Sequence, residues 1–435
     1  MPFKHFALLL LTAKLALGQA ISVAATQSTG WNSSFELSFE QVKLGNLTSG
    51  MATIINTITN FDRSQLANGG AHEDEFYNVQ DLPEGDWPTE PGKAIKIQES
   101  TDPSPFAIPA KTAMSRIVYS TTNANGFYAN GAPSVHRALF YADIVPFALA
   151  KAGYAVVAPD YAGLGVDSSW NGSRIPHQYF VRQAGAYDAL NALRAAKGSF
   201  SERLSSKYVV MGHSQGGAVA WGLAEILSRG DAMFEDVSKD YLGAVIAAPP
   251  TDALSFTTAG FLAWVAKDLD HIYPTFKLSD WFTPLGVRRI ELLNQIEGSQ
   301  MVTFAMFSPD EELLQPDWRK TSYAKAFEGL TNPDDVTVPY NTTKTTVEDT
   351  CQAYPGDLEF VTVPQGSHFS AISAAQQMWL RWIEGRFDNQ PVAKAGCIES
   401  QLDSLLSSEN YQVLPNSFLQ WAGEPQWSYE LPTAL

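Results

Sequence analysis

The sequence KYVVMGHSQGGAVAWGLA, residues 207–224, places a serine between glycines where an apolar run changes into a small-residue pattern. The run before Gly212 has the composition of a buried strand, and the residues after Ser214 predict a helix. A Gly-x-Ser-x-Gly turn between such elements holds its central residue in a strained conformation, and side chains at Gly212 or Gly216 would collide with the neighbouring strand and helix. The segment predicts that Ser214 is a nucleophile, with a tight structural turn as the alternative interpretation.

The residue after the serine has a predicted role of its own. Gln215 opens the helix, so its backbone N–H and the positive end of the helix dipole favour a negative charge that develops beside Ser214. We therefore predict that the N–H of Gln215 is one donor of an oxyanion hole.

A serine hydroxyl is a weak nucleophile until a base takes its proton, and the sequence offers seven histidines for this role. His368 follows a predicted strand, residues 358–363, in a glycine-containing loop, and it completes the chain order Ser, Asp, His. We predict that His368 is the general base, with a capping or core histidine as the alternative. The other histidines lie in the N-terminal segment, in the turn itself with its side chain directed away from the serine, or upstream of the predicted acid: His5, His72, His136, His177, His213 and His271.

The base needs an orienting carboxylate, and Asp335 is the predicted one. It stands just before Val-Thr-Val-Pro, where an acid can point inward, and a helix and a strand separate it from His368. Its neighbour Asp334 and the more distant Asp310 are the rival candidates, and a solvated loop position is the alternative for each.

Composition and the N-terminal residues bound the class of protein. The chain has 435 residues, 45% of them hydrophobic, and a net charge of −17, which argues against nucleic acid because phosphate binding needs a basic surface. The expected substrate is neutral or apolar. Residues 1–20 resemble a secretory signal, so we expect a secreted protein, and the sequons at Asn32, Asn46, Asn171 and Asn341 agree with that route. In an oxidising compartment, Cys351 and Cys397 predict one disulfide.

The pattern of strands and helices predicts an α/β architecture with a mostly parallel sheet covered on both faces. After the signal we expect an N-terminal extension over residues 21–112 that packs on the main domain, then a first part of the α/β core over 113–252. A helical cap is predicted over residues 253–329, a second part of the core over 330–387, and a loop-like acidic tail over 388–435. Four cap aromatics could line an apolar substrate pocket or could be ordinary core: Trp264, Phe276, Trp281 and Phe282.

Several stretches together resemble the secretory lipase family of α/β-hydrolases, the group of lipase A-type enzymes. The matching stretches are residues 115–126, 132–134, 153–165, 177–217, 335–340 and 366–368. The resemblance implies an α/β-hydrolase fold, a Ser214, Asp335 and His368 triad and the Cys351 to Cys397 disulfide. It implies hydrolysis of a small-molecule or lipid ester with no metal or organic cofactor, with transient contact with a lipid interface and no obligate protein partner.

The chain departs from this family at the second oxyanion donor. Relatives carry an extra strand pair before the segment that matches Ala132-Pro133-Ser134, and its loop donates to the oxyanion hole; here only residues 127–131 remain. We expect that the sheet lacks a strand beside the one containing Val156, or that residues 117–121 replace it. The loop 122–131 would then supply the donor.

Three functions follow from these expectations. The first is a carboxylic ester hydrolase, lipase or esterase, that forms an acyl-enzyme on Ser214. The second is a tailoring deacetylase acting on a secondary metabolite. The third is a catalytically impaired hydrolase-like protein with an incomplete oxyanion hole.

Overall fold

The structure is a computed structural model. It describes residues 34–64, 66, 69–78, 92, 115–121, 126–135, 144–169, 171–251, 259–307, 312–327, 340–354, 356–364, 368 and 370–402. The predicted signal, Asn32, Asp310, Asp334, Asp335 and the tail after residue 402 lie outside these ranges. Within them, every helix is too short or too polar to cross a membrane.

Strands and helices alternate over residues 115–247, and the elements described between residues 259 and 353 are all helices. The strands are β1 (Ser115–Thr121), β2 (Ala155–Val157), β3 (Leu204–His213), β4 (Tyr241–Ala247), β5 (Leu358–Thr362) and β6 (Cys397–Gln401). The helices are α1 (Phe39–Gly45), α2 (Ser49–Ser64), α3 (Ile144–Lys151), α4 (Arg182–Ser199), α5 (Gln215–Ser228), α6 (Glu235–Ser238), α7 (Ala259–Ile272), α8 (Leu278–Trp281), α9 (Pro284–Ile296), α10 (Gln300–Met306), α11 (Ser322–Phe327), α12 (Tyr340–Ala353), α13 (Ser370–Ala374) and α14 (Gln376–Phe387).

The main sheet has the order β2-β1-β3-β4, and each of its pairs is parallel. Strand β1 pairs with β2 on one edge, where Val118 faces Val156, and with β3 on the other, where Thr121 faces Gly212. The carboxyl end of β1 therefore lies beside the end of β3. This arrangement confirms the second of the two expectations above, because residues 117–121 occupy the position beside the strand that contains Val156.

Helices cover both faces of the sheet, as the apolar pattern of β3 requires. Side chains alternate along a strand, so Tyr208 and Val210 point to one face and Val209 and Met211 to the other. The first pair joins a core cluster with residues of α4 and α5, and the second pair joins a separate cluster with residues of α3 and α14. A parallel sheet buried on both faces confirms the predicted α/β fold.

The cap comprises α7 to α11, and its aromatic side chains form its interior. Trp264, Phe276, Trp281 and Phe282 each have 0% of their surface exposed. The ring centroid of Trp281 lies 5.4 Å from that of Phe276 and 5.1 Å from that of Trp318. Of the two alternatives for these four aromatics, ordinary core is confirmed and a pocket lining is not: they have no exposed surface to offer a ligand, and burial of large apolar rings stabilises the cap.

The N-terminal extension contributes two helices, and they contact the cap as well as the core. The guanidinium groups of Arg288 and Arg289, on α9, donate to the carbonyl groups of Leu44 (3.1 Å) and Gly45 (2.9 Å) at the end of α1. On the core side, the N–H of Ala71 donates to Asn130 Oδ1 at 2.8 Å. The prediction that the extension packs on the main domain is incomplete, because a half-buried arginine, Arg288, and a buried one, Arg289, of the cap also hold it.

A second, two-stranded sheet pairs β5 with β6 in parallel, and Leu358 faces Cys397. The prediction of a wholly loop-like tail over residues 388–435 is wrong, because β6 belongs to this segment. The strand reads Cys-Ile-Glu-Ser-Gln, with three polar residues in a row, and its side chains alternate between exposed and half-buried, so it lacks the continuous apolar run that predicts a buried strand. The predicted disulfide between Cys351 and Cys397 is present and ties α12 to β6.

Candidate functional site

The turn between β3 and α5 has the strained backbone predicted for it. Ser214, the N-cap residue of α5, has φ 56° and ψ −123°, a backbone conformation that residues other than glycine rarely adopt. Its N–H donates to the carbonyl of Ala247 at 3.0 Å, so the end of β4 holds the turn. A Cβ atom on Gly217 would lie 2.6 Å from that same carbonyl oxygen. Glycine is therefore required at 217 by the close approach of β4, a position that the motif alone did not single out.

His368 lies against this turn, as its predicted role requires. The Nε2 of His213 donates to the carbonyl of His368 at 2.8 Å, and the two imidazole ring centroids are 4.6 Å apart. Because His213 directly precedes Ser214, this contact fixes the segment of His368 to the turn. Sequence reasoning set His213 aside as pointing away, whereas the structure makes it the residue that holds the predicted base in place.

Burial keeps both imidazoles neutral at neutral pH. Burial lowers the pKa of His213 to about 4, and it lowers the pKa of His368 well below the usual value, with a further contribution from the neighbouring His213. A neutral His368 can accept a proton from a hydroxyl, which is the state that a general base needs before reaction.

The side chain of Gln215 is held by a second histidine that sequence reasoning did not assign. Gln215 Nε2 lies 3.1 Å from His177 Nε2 and donates to the carbonyl of Tyr179 at 3.2 Å. The other ring nitrogen of His177, Nδ1, lies 3.1 Å from the carbonyl of Ala162. Burial lowers the pKa of His177 to about 4, so the ring is neutral at neutral pH. The first helical residue after the serine is thus anchored through both amide hydrogens.

The loop that follows β1 is attached to the cap through a buried lysine. Lys267, on α7, donates to Tyr128 Oη at 2.6 Å and to Asn294 Oδ1, and its ammonium group lies 4.4 Å from the centroid of the Tyr128 ring. Tyr128 itself donates to Asn294 Oδ1 at 2.6 Å. Burial lowers the pKa of Lys267 to about 7. These contacts stabilise residues 126–131, while residues 122–125, which complete the predicted oxyanion loop, lie outside the described ranges.

A cavity of about 360 Å³ borders the same loop. Its walls come from α2 and the residues that follow it, from residues 126–131 of the loop and from the cap, and they include the charged or titratable side chains of Arg63, His72 and Glu297. The ring of Phe127 instead contacts His177, with centroids 6.0 Å apart. The loop therefore borders the cavity on one side and contacts His177, the residue that holds Gln215, on another.

The remaining predicted positions have simpler outcomes. Asp335 lies outside the described residues, so its place in a triad stays a prediction. Among the predicted sequons, Asn46 and Asn171 are exposed and Asn341 is half-buried on α12, while their glycosylation stays a prediction. Among the residues that the structure describes, no group of three His, Cys, Asp or Glu side chains could hold a metal ion.

The sequence is similar to a known protein family, and the fold is similar to those of solved proteins. The sequence model described as "Alpha/beta hydrolase family" matches residues 125–379, more than half of the chain. Lipase A of Candida antarctica, in its closed state, superposes with a TM-score of 0.51 at 16% identity over 68% of this chain and 76% of that chain. The rice cell wall degrading esterase LipA of Xanthomonas oryzae gives a TM-score of 0.40 at 19% identity over 55% of this chain and 72% of that one. No curated protein matches the chain in sequence.

Proposed function

We propose, from the premise that the chain belongs to the alpha/beta hydrolase family, that it is a secreted serine hydrolase that cleaves carboxylic esters through an acyl-enzyme on Ser214. One observation carries the proposal. Ser214 has φ 56° at the junction of a buried strand and a helix, a conformation that costs about 1–3 kcal/mol and that is typical of functional sites.

The reaction follows from the groups gathered at this turn. Ser214 Oγ attacks the ester carbonyl carbon while His368 accepts the hydroxyl proton, and the carbonyl oxygen becomes an oxyanion near the N–H of Gln215. The C–O bond to the alcohol then breaks, and the alcohol leaves with the proton from His368. Water, deprotonated by His368, then attacks the acyl carbon. The bond between this carbon and Ser214 Oγ breaks, Oγ takes the proton back from His368, and the carboxylic acid leaves. Asp335 would orient His368 and stabilise its protonated form.

The position of β1 supports an active enzyme over an impaired one. Its carboxyl end lies beside the end of β3, as the pairing of Thr121 with Gly212 shows. Thr121, the last residue before the loop 122–131, thus lies next to the turn that carries Ser214, where a second oxyanion donor is needed. The fold similarity to a protein named as a lipase agrees with an ester substrate.

A serine-directed fluorophosphonate probe tests the proposal. We expect the purified protein to be labelled and to hydrolyse short p-nitrophenyl esters, and Ser214→Ala to lose labelling and about 10⁴-fold or more of kcat, because no other group replaces the nucleophile. The matched control is Ser228→Ala, which removes a hydroxyl at the other end of α5 and leaves both activities intact. A folded wild-type protein that neither labels nor turns over any ester would refute the proposal.

A further inference from the structure

Beyond the triad, the structure offers a buried histidine that touches both sides of the predicted oxyanion hole. His177 precedes α4 and has 3% of its surface exposed. Its ring contacts Gln215, the residue whose N–H is the first predicted donor, and Phe127, which belongs to the loop predicted to supply the second. We propose that His177 is a positioning residue, which fixes the backbone N–H of Gln215 and the loop after β1 in the relative position that binding of the oxyanion requires. This inference rests on the proposed function.

The hydrogen bonds of His177 allow only one tautomer. The carbonyl of Ala162 can only accept, so Nδ1 carries the hydrogen and Nε2 of the neutral ring is an acceptor. Gln215 Nε2 then donates one hydrogen to this Nε2 and the other to the carbonyl of Tyr179. The reverse orientation of the amide would place its oxygen against two acceptors. The Gln215 side chain is therefore locked in one rotamer at the first position of α5.

The ring of His177 is itself fixed from several directions. It stacks on Tyr161, with centroids 5.9 Å apart and planes 8° apart, and its edge contacts Tyr179 at 5.7 Å. The acceptor Ala162 is anchored in turn, because its N–H donates to Asp188 Oδ2 at 2.9 Å. At Gly163 a Cβ would lie 2.4 Å from the His177 N atom, so the bare backbone there allows the approach. Because the ring of His177 is fixed in this way, it can fix the positions of the side chains that it contacts, Gln215 and Phe127.

Such an anchor acts on the transition state more than on substrate binding. The oxyanion forms only during reaction, and removal of one hole donor costs about 100-fold or more in kcat. A variant in which the Gln215 N–H is displaced but still present should lose less kcat than one in which a donor is removed. We therefore expect loss of the His177 contact to lower kcat about 10- to 100-fold with KM changed less than about 3-fold.

Two substitutions separate positioning from packing. In His177→Asn the side-chain amide can occupy the place of Nδ1 and keep the Ala162 bond, but it provides no acceptor for Gln215. In His177→Gln the amide oxygen can occupy the place of Nε2 and accept from Gln215. We expect His177→Asn to lose kcat as stated and to react correspondingly slowly with the fluorophosphonate, and His177→Gln to recover to within about 3-fold of wild type. Gln215→Ala should lose about as much as His177→Asn, and the double variant no more than either.

The possible outcomes are distinct. Equal kcat and labelling rates in wild type and a folded His177→Asn would overturn the inference and leave the ester hydrolase intact. Equal losses in both His177 variants that follow their melting temperatures would show a packing role only, which also overturns it. A wild-type protein that does not label at all would refute the proposed function, and the inference with it.

Discussion

The turn around Ser214 and the interior of the helical cap are stabilised in different ways. The turn has a strained backbone at Ser214, and the buried neutral rings of His213, within it, and His177, against it, are each joined to a backbone carbonyl. The cap is held by aromatic rings such as Trp264 and Trp281 that have no exposed surface. The strain lowers the stability of the turn, which supports the proposed function, whereas the cap gains stability from each ring that it buries.

The difference explains why the two regions were predicted with unequal success. A glycine-flanked serine between a strand and a helix has few structural uses, so its pattern pointed to chemistry. An aromatic residue on a helix is compatible with a pocket and with a core, and composition does not distinguish them. Substitutions in each region should therefore change different measured quantities.

The largest effect on stability is expected in the cap. Trp281→Ala removes a side chain with 0% exposure and the donor of a 3.0 Å hydrogen bond to Thr321, and should lower the free energy of unfolding by about 3–5 kcal/mol. The kcat of the folded protein should change less than about 3-fold. Urea unfolding and ester hydrolysis below the transition would measure both. Tyr273→Ala, at a site 45% exposed, is the matched control and should cost less than about 1 kcal/mol. A large increase in KM with little change in the free energy of unfolding would show instead that Trp281 contacts the substrate.

The histidines of the turn predict a loss of stability in acid. The pKa of His213 is lowered to about 4, so between pH 6.5 and 4 the unfolded chain binds a proton that the folded protein does not. The contribution of His213 to the free energy of unfolding is therefore fully present above pH 6.5. It decreases by about 3 kcal/mol as the pH falls towards 4.

Urea titrations at pH 7 and pH 4 would isolate this contribution. His213→Gln, which can still donate to the carbonyl of His368, should have a stability difference between the two pH values that is smaller by about 3 kcal/mol. His72→Gln is the control with the opposite sign, because the bond to Glu297 raises the pKa of His72. An unchanged pH dependence in His213→Gln would mean that His213 is not buried as a neutral ring.

The smallest effect is expected from relief of the strain at Ser214. Glycine adopts a positive φ freely, so Ser214→Gly should raise the free energy of unfolding by about 1 kcal/mol after the entropy cost of an added glycine in the unfolded chain. Ser228→Gly, in the last turn of α5, is the matched control and should lower it. Differential scanning calorimetry of both variants measures the sign. A destabilised Ser214→Gly would show that the turn is not strained.

Local patterns predicted most of the secondary structure and the outline of the site. The strand that contains Val209 and the helix after Ser214 followed from apolar composition and from glycine placement, and His368 followed from its position after a strand. Strand β6 was missed because it is mostly polar and half-buried at most, a composition that resembles that of a loop. The place of β1 was left as one of two alternatives, because no local property of Ile117 or Val118 states which strands lie beside them.

The sequence by itself determined the tight turn at Ser214, the α/β class and the disulfide between two cysteines, because each depends on neighbouring residues or on the count of a residue type. Only the tertiary structure decided that β1 lies between β2 and β3, that the cap aromatics are core, and that His177 holds Gln215. These outcomes depend on contacts between residues far apart in the chain, such as the 38 positions that separate His177 from Gln215. A hydrogen bond between distant side chains requires a folded backbone to bring them within 3 Å or so, and that proximity leaves no local pattern in the sequence.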